Sequence, residues 1–398
     1  MLKLKSRCST MTLNRFDEVS VRTKMRAAEV SWFCDLCGGD TAYMGTIDGE
    51  RRSNFENCSN VLFEAERLGY QNILLPTSYI VGQDALAFAA AVATRTSRIN
   101  LLVATRCGEV HPPMLARAIS TLDHILEGRL TINIINSDLP GYKEEGKLRY
   151  TRCVEVIEIL KQSWNSDRIK VDGEVYKLDL PTDPVKPYQQ NGGPLLYFGG
   201  ISDEAREVCA KHCDVFLMWP EREESIYATM KDLSARAARY ERTIDFGLRV
   251  HVIVRETEQE ARAYTKKLMS KFDAAQGLKL KNRTQDARSV GVLRQNKLRE
   301  EADADGFVEP LLWTEIGKAR SGCGGALVGN PDQILEKINR YMDFGIRSFI
   351  FSGYPLIDEC RLFANYVLPR IPQISMPVIQ NRIPEDTPVT PLTTGTLR

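Results

Sequence analysis

An α/β fold, a (β/α)₈ TIM barrel, is the architecture this sequence predicts, and three observations predict it. Eight short apolar segments alternate with helical patterns along the chain. Several of those segments are nearly continuous apolar runs, as expected of strands covered on both faces. No GxGxxG follows the first of them, which makes a doubly wound open sheet the weaker alternative.

The first strand is expected at Glu29–Cys34. A helix over Asn54–Arg67 follows, and its apolar stripe ends before Gly69, a residue suited to a helix C-cap. Asn72–Pro76 is the second strand, and the alanine-rich Asp84–Thr94 is its helix. Asn100–Thr105 precedes a helix over Met114–Leu126 that stops before Gly128. The fourth strand, Leu130–Ile135, leads to a helix over Tyr150–Trp164. The fifth, Leu195–Gly199, leads to one over Asp203–Cys213, and the sixth, Asp214–Trp219, to one over Glu223–Tyr240. Phe246–Val254 is the seventh strand, with a helix over Glu258–Phe272. The eighth, Ser348–Ser352, sits between helices over Pro331–Phe344 and Ile357–Leu368. One stretch breaks the rhythm. Residues 276–323, long and charged, separate the seventh strand from the eighth, and a long insertion there reads as a lid over the barrel mouth.

Apolar residues make up 43% of 398, enough for one large core. Lys plus Arg number 53 and Asp plus Glu 52, a balance that argues against nucleic-acid and anionic-membrane partners. No apolar run approaches the ~18 residues of a membrane span. Ten cysteines spread along a long chain read as reduced thiols of a cytoplasmic protein. Residues 1–26 are basic and lack a secretory apolar core. They read as a disordered or over-extended start with Met25 as the alternative initiator, and Asp17 and Glu18 count against a transit peptide. Residues 27–376 are the barrel domain, and 377–398, rich in Pro and Thr, are expected to be a disordered tail.

In such a barrel, chemistry collects at the C-terminal strand ends. Thr105 and Arg106 end the third strand, Asn136 to Asp138 follow the fourth, Trp219 ends the sixth, and Ser352 to Tyr354 end the eighth. Phe198-Gly199-Gly200-Ile201-Ser202 runs from the fifth strand into a helix. It is a candidate phosphate cradle, because glycines let the backbone approach and a helix start offers free N–H groups. Arg249 and His251 alternate on the seventh strand and so face the same way. Facing the helices, an arginine would be a costly unpaired charge, so both are placed inside the barrel, where Arg249 can hold an anion with its planar fork. An internal Arg–carboxylate pair is the competing reading. Arg320, in Ala-Arg-Ser-Gly-Cys-Gly-Gly, sits where the insertion re-enters the barrel and suits a segment that orders on an anionic ligand. No metal site is expected: Cys34-x-x-Cys37 lacks a second CxxC at zinc spacing. There is no GxSxG elbow.

With these residues the sequence resembles the flavin-dependent alkanesulfonate monooxygenases of the bacterial luciferase-like superfamily, from about Val30 to about Pro369. The matching segments are Ala-Glu-Arg-Leu-Gly-Tyr (65–70), Thr-Leu-Asp-His-Ile-Leu-Glu-Gly-Arg (121–129), Leu-Tyr-Phe-Gly-Gly (196–200), Phe-Gly-Leu-Arg-Val-His-Val-Ile-Val-Arg-Glu-Thr (246–257), Ala-Leu-Val-Gly (326–329) and Ser-Gly-Tyr-Pro (352–355). Trp32-Phe33-Cys34, Ala104-Thr105-Arg106, Asp305-Gly306-Phe307-Val308-Glu309 and Ala319-Arg320-Ser321-Gly322-Cys323 look more like the sulfoquinovose-oxygenating branch. The resemblance implies a homo-oligomeric (dimeric or tetrameric), two-component enzyme. It would take reduced FMN from a separate NAD(P)H:FMN reductase, use O₂, and release sulfite from a small organosulfonate, leaving an aldehyde or oxidised sugar. Arg249, His251 and Tyr354 would be catalytic. Trp219 and Arg320 would join them on the sulfonate. Tyr150 and Ser202 would contact FMN, together with Thr105, Asn136, Gly199 and Gly200.

The chain departs from the family pattern in three places. A family Cys after the second strand is replaced in Ser78-Tyr79-Ile80-Val81-Gly82, a family His after the first strand is replaced near Cys37, and Gly146 stands near the place of a third. These changes bear on the substrate and on FMN contacts more than on the reaction class. Competing readings are a deazaflavin- or flavin-dependent oxidoreductase of the same barrel acting on a sulfur-free substrate, and a non-catalytic flavin-binding relative. The two arginines favour sulfonate chemistry over both.

Overall fold

The computed structural model describes residues 18–79, 82–283 and 289–395. Its strands are β1 (Glu29–Phe33), β2 (Asn72–Leu75), β3 (Asn100–Arg106), β4 (Leu130–Ile135), β5 (Arg168–Asp172), β6 (Lys177–Pro181), β7 (Leu195–Phe198), β8 (Val215–Met218), β9 (Asp245–Val254), β10 (Phe307–Glu309), β11 (Leu312–Trp313), β12 (Ala326–Gly329) and β13 (Ile346–Ser352). β1, β2, β3, β4, β7, β8, β9 and β13 pair in parallel in that order, and β13 pairs back onto β1, closing an eight-stranded barrel. These are the eight expected strands, and each of the nine expected helices lies against them. Their residues are buried almost throughout, because the barrel interior takes one face of each strand and the helices cover the other. Helix ends follow local chemistry. Asn54 caps Phe55–Leu68 with its side chain, and Gly69 ends that helix at φ 90°, a left-handed conformation that favours glycine.

The helix expected from Tyr150 begins earlier, at Gly146. After it comes an antiparallel hairpin, β5–β6, that the sequence reading passed over. Its signal is the alternation in Arg-Ile-Lys-Val-Asp, whose Ile169 and Val171 pack on Ile159. The 276–323 stretch contains helices Ala274–Asn282 and Val290–Glu300, strands β10 and β11, and a short turn of helix at Glu315–Lys318. β9 makes room for it by changing neighbours along its length. Asp245 to Leu248 pair with β8, whereas His251 to Val254 pair with β12, to which β11 and β10 add in antiparallel.

The barrel floor departs from expectation. Residues 1–17 of the basic start lie outside the described residues, as do 396–398. Residues that follow dock under the barrel: Val21 bridges to Ile244, and Thr23 donates through its N–H (2.9 Å) and hydroxyl (2.8 Å) to the Asp245 carboxylate. The stretch from Pro377 was expected to be a disordered tail. Its first residues are instead folded onto the floor. Met376–Ile379 form a helical turn, Gln380 donates to Asp245 (2.7 Å), and buried Arg382 donates to the Gly193 carbonyl (2.9 Å) and to Asp214 (3.1 Å). Proline-rich composition suggested disorder, but the polar floor supplies partners that composition does not reveal. Glu29 is one of them. Fully buried, it accepts from Asn72, Asn100, Tyr197 and the Met376 N–H, and burial pushes its pKa up against those bonds.

Arg382→Ala removes one guanidinium from Asp214 but leaves it Arg22 at 3.4 Å and Arg242 at 3.7 Å. The expected loss is therefore about 2 kcal/mol, below that of a buried pair with no second partner. Urea unfolding midpoints check it, and an unchanged midpoint would show that the docked segment adds nothing.

Candidate active site

At the mouth, side chains from β1, β9, β13 and the end of the insertion converge. Arg249 and His251, alternate residues of β9, both point into the barrel and meet at Ser352 of β13. Arg249 donates to Ser352 Oγ (2.8 Å), and Ser352 Oγ lies 2.6 Å from His251 Nδ1. His251 Nε2 lies 3.1 Å from the Cys323 carbonyl. A carbonyl can only accept, so Nε2 carries the hydrogen and Nδ1 accepts from Ser352. Both ring nitrogens are thereby engaged within the protein. Burial, followed by the charges of Arg249 and Arg320, holds the His251 pKa well below its ordinary value, so the ring is neutral at pH 7.

Arg249 is 3% exposed, and its guanidinium lies 4.5 Å from the centre of the Phe33 ring. Its hydrogen bonds go to Ser352 and the Ile350 carbonyl, and no carboxylate among the described residues pairs with it. Burial lowers its pKa accordingly. The internal Arg–carboxylate pair considered for Arg249 is found instead at Arg320, which donates to Asp35 (2.9 Å) and to the Tyr354 hydroxyl (2.5 Å). Burial acts to lower the Arg320 pKa, but Tyr354 and Asp35 outweigh it and raise it. Its guanidinium is 5.0 Å from the same Phe33 ring, so one phenyl group supports both arginines. Burial pushes the Tyr354 phenol up to about 12 despite Arg320 beside it, leaving it protonated at neutral pH. Its ring also packs on His251, 5.4 Å between centres.

Asp35 was missed by sequence reasoning. The available signal was an acid directly after a buried strand, in Trp-Phe-Cys-Asp, at the end where chemistry collects. Trp219, at the end of β8, is covered by the insertion. A Cβ on Gly291 would come within 2.8 Å of its ring, and one on Gly322 within 3.5 Å.

The expected cofactor residues line a second group of strand ends. Thr105 Oγ1, Ser78 Oγ and both amide atoms of Asn136 are buried with no hydrogen-bond partner. Each such atom costs about 1–3 kcal/mol if it stays unmet, and these three residues stand at the ends of the neighbouring strands β2, β3 and β4. Tyr150 OH lies 2.9 Å from Ser202 Oγ, and Ser202 caps helix Asp203–His212 by accepting from the Ala205 N–H. The glycines before it are sterically required. A Cβ on Gly199 would sit 2.8 Å from the Leu217 carbonyl, and one on Gly200 2.6 Å from the Ala205 methyl. Among the described residues no cluster of His, Cys, Asp or Glu could hold a metal ion, and no helix is long and apolar enough to cross a membrane.

The family description for luciferase-like monooxygenases matches residues 30–348. The chain is 53% identical over 370 residues to the sulfoquinovose monooxygenase of Agrobacterium fabrum, which spans 93% of this chain and 96% of that one. It is 49% identical over 351 residues to the sulfoquinovose monooxygenase of Novosphingobium aromaticivorans, covering 86% and 96%. In fold it is similar to riboflavin lyase, crystallised with modified FMN and riboflavin, at a TM-score of 0.73, 13% identity, and coverage of 92% and 98%.

Two buried histidines make stability depend on pH: His251, and His212, which burial pushes down to about 3. Unfolded histidines take a proton near pH ~6.5. The unfolded state therefore binds more protons, and stability falls as pH drops below that value. Each ring contributes up to about 1.4 kcal/mol per pH unit. Asp40 and Asp123, which burial pushes up to about 7, act in the opposite direction over the same range. The histidine share is therefore read as the difference between wild type and His251→Gln in urea titrations from about pH 8 to about pH 5, with the variant expected to lose roughly half of it. A slope that does not change in the variant would mean that His251 is charged in the folded protein.

Proposed function

The chain belongs to the luciferase-like monooxygenase family, and from that premise we propose that it uses reduced FMN and O₂ to release sulfite from sulfoquinovose or a close organosulfonate. One observation carries the substrate class: Arg249, buried with no carboxylate partner among the described residues, stands with Arg320 over one Phe33 ring. Arg249, unpaired, and Arg320, paired with Asp35, together form an anion receptor, and their planar forks suit the oxygens of a sulfonate. The names of the relatives supply the sugar. A separate NAD(P)H:FMN reductase would provide the reduced flavin, and the enzyme would act as a homo-oligomer.

FMN, when bound, supplies the electrons and the activation of O₂. The residues present fit it. Thr105, Ser78 and Asn136 have unmet polar atoms for a flavin edge, while Gly199 to Ser202, with Tyr150, offer the backbone and hydroxyl groups that a phosphate needs. Arg249 and Arg320 hold the sulfonate and orient the carbon–sulfur bond. As sulfite leaves, the fixed charge of Arg249 stabilises the developing anion. Tyr354, protonated at neutral pH, donates a hydrogen bond and is not the base. His251 acts as a positioning residue: its neutral ring accepts from Ser352, which in turn fixes the Arg249 fork.

The test is sulfite release by the purified protein with a flavin reductase, FMN, NADH and O₂, against sulfoquinovose, linear alkanesulfonates and taurine. Sulfite that requires both reduced FMN and O₂ is expected. No sulfite from any of them, with flavin bound, would overturn the reading in favour of a sulfur-free substrate. Arg249→Ala is expected to lower sulfite release roughly 10²–10³-fold with the circular dichroism spectrum intact, and Arg249→Lys to restore little of it, because an ammonium lacks the fork. Near-normal turnover in Arg249→Ala would remove Arg249 from the chemistry, and near-normal turnover in Arg249→Lys alone would show that its charge suffices without the fork.

A further inference from the structure

Asp35 gives the arginine pair a property that neither arginine has alone. It is 3% exposed, its Oδ1 is fixed by the Cys37 N–H at 3.1 Å, and its Oδ2 receives Arg320 at 2.9 Å. The titratable groups around this end of the cavity can be counted. β9 brings Arg249 and His251, the insertion brings Arg320 and Cys323, the segment after β1 brings Asp35 and Cys37, and the segment after β13 brings Tyr354. Asp35 also lines a second cleft with Asp40, Arg51 and Arg52, in which the Asp40 carboxylate accepts from the Leu356 and Thr41 N–H groups. His251, Tyr354 and the two thiols are neutral at pH 7. Arg249, Arg320 and the carboxylate paired with one of them sum to a net charge of one, and Arg106, buried at the end of β3, is paired with Glu109 at 2.8 Å.

We propose that Asp35 sets that net charge, so that the site accepts a singly charged sulfonate and rejects the doubly charged phosphonate or phosphate of the same shape. This rests on the reading of the site as a sulfonate receptor. A sulfonate and a phosphonate share three oxygens on a tetrahedral centre and differ mainly by one proton. Shape therefore cannot separate them, whereas a fixed carboxylate bonded to one of the receptor's own arginines can. With a monoanion the two guanidiniums and Asp35 sum to zero, whereas a dianion leaves one uncompensated negative charge buried, and the expected weakening is roughly ten- to a hundredfold.

The test compares sulfoquinovose with its phosphonate isostere by calorimetric titration in the presence of FMN, on either side of the pH at which the phosphonate loses its second proton. The ratio of the two affinities is the readout, and the growth must persist in Asp40→Asn, because Asp40, which burial pushes up to about 7, itself disfavours a dianion more than a monoanion as it ionises. In the wild type the preference for the sulfonate is expected to grow at least about tenfold as the phosphonate becomes a dianion. Asp35→Asn is expected to flatten or invert that growth, whereas a merely structural Asp35 would weaken both ligands alike. Sulfonate binding with a ratio flat in pH overturns the inference alone. Absence of sulfonate binding in the wild type overturns the receptor reading with it. If Asp35→Asn does not fold, Asp35→Ser, smaller and equally uncharged, takes its place with the same two outcomes.

Discussion

Burying a guanidinium without an acid beside it is costly, and Arg249 holds that position at the centre of the mouth. Much of the surrounding arrangement follows from accommodating it. Ser352 accepts from Arg249 and passes its own hydrogen to His251, which fixes the ring tautomer and turns its other nitrogen to the Cys323 carbonyl. Phe33 lends its ring face. No part of this set neutralises the charge, so it remains available to an anion from outside.

The same strand delivers the second arginine. β9 is long enough to pair with β8 below and with β12 above, and the chain entering β12 is the one that carries Arg320 and Cys323. The insertion is therefore tied to the barrel by a backbone ladder, and its re-entry point is held at the height of His251, whose Cα partner in that ladder is Ala326. A change in the length or packing of the insertion alters where Arg320 stands relative to Arg249 while the barrel itself stays the same.

Much of this was legible in the sequence. Buried parallel strands read as apolar runs, and all eight could be found that way. Alternation on β9 correctly placed Arg249 and His251 inside. What stayed hidden depends on pairings between distant segments. A lone acid such as Asp35 carries no periodic signal, and its importance comes from an arginine 285 positions away. The docked segment after Met376 was misread for the same reason, since Gln380 and Arg382 find their acids 135 and 168 positions away in the sequence. The β5–β6 hairpin was there to be read in its alternation, but its short strands stand apart from the barrel's repeating pattern.

The floor of the barrel joins the two extremes of the described chain through shared acids. Asp245 serves both Thr23 and Gln380, and Asp214 serves both Arg22 and Arg382. Releasing either strip leaves the other facing a buried carboxylate with fewer donors, so the two are cooperative: each is more firmly seated while the other is in place. A protease that nicks one strip thus loosens the second without touching it, and the floor is lost as a unit rather than strip by strip.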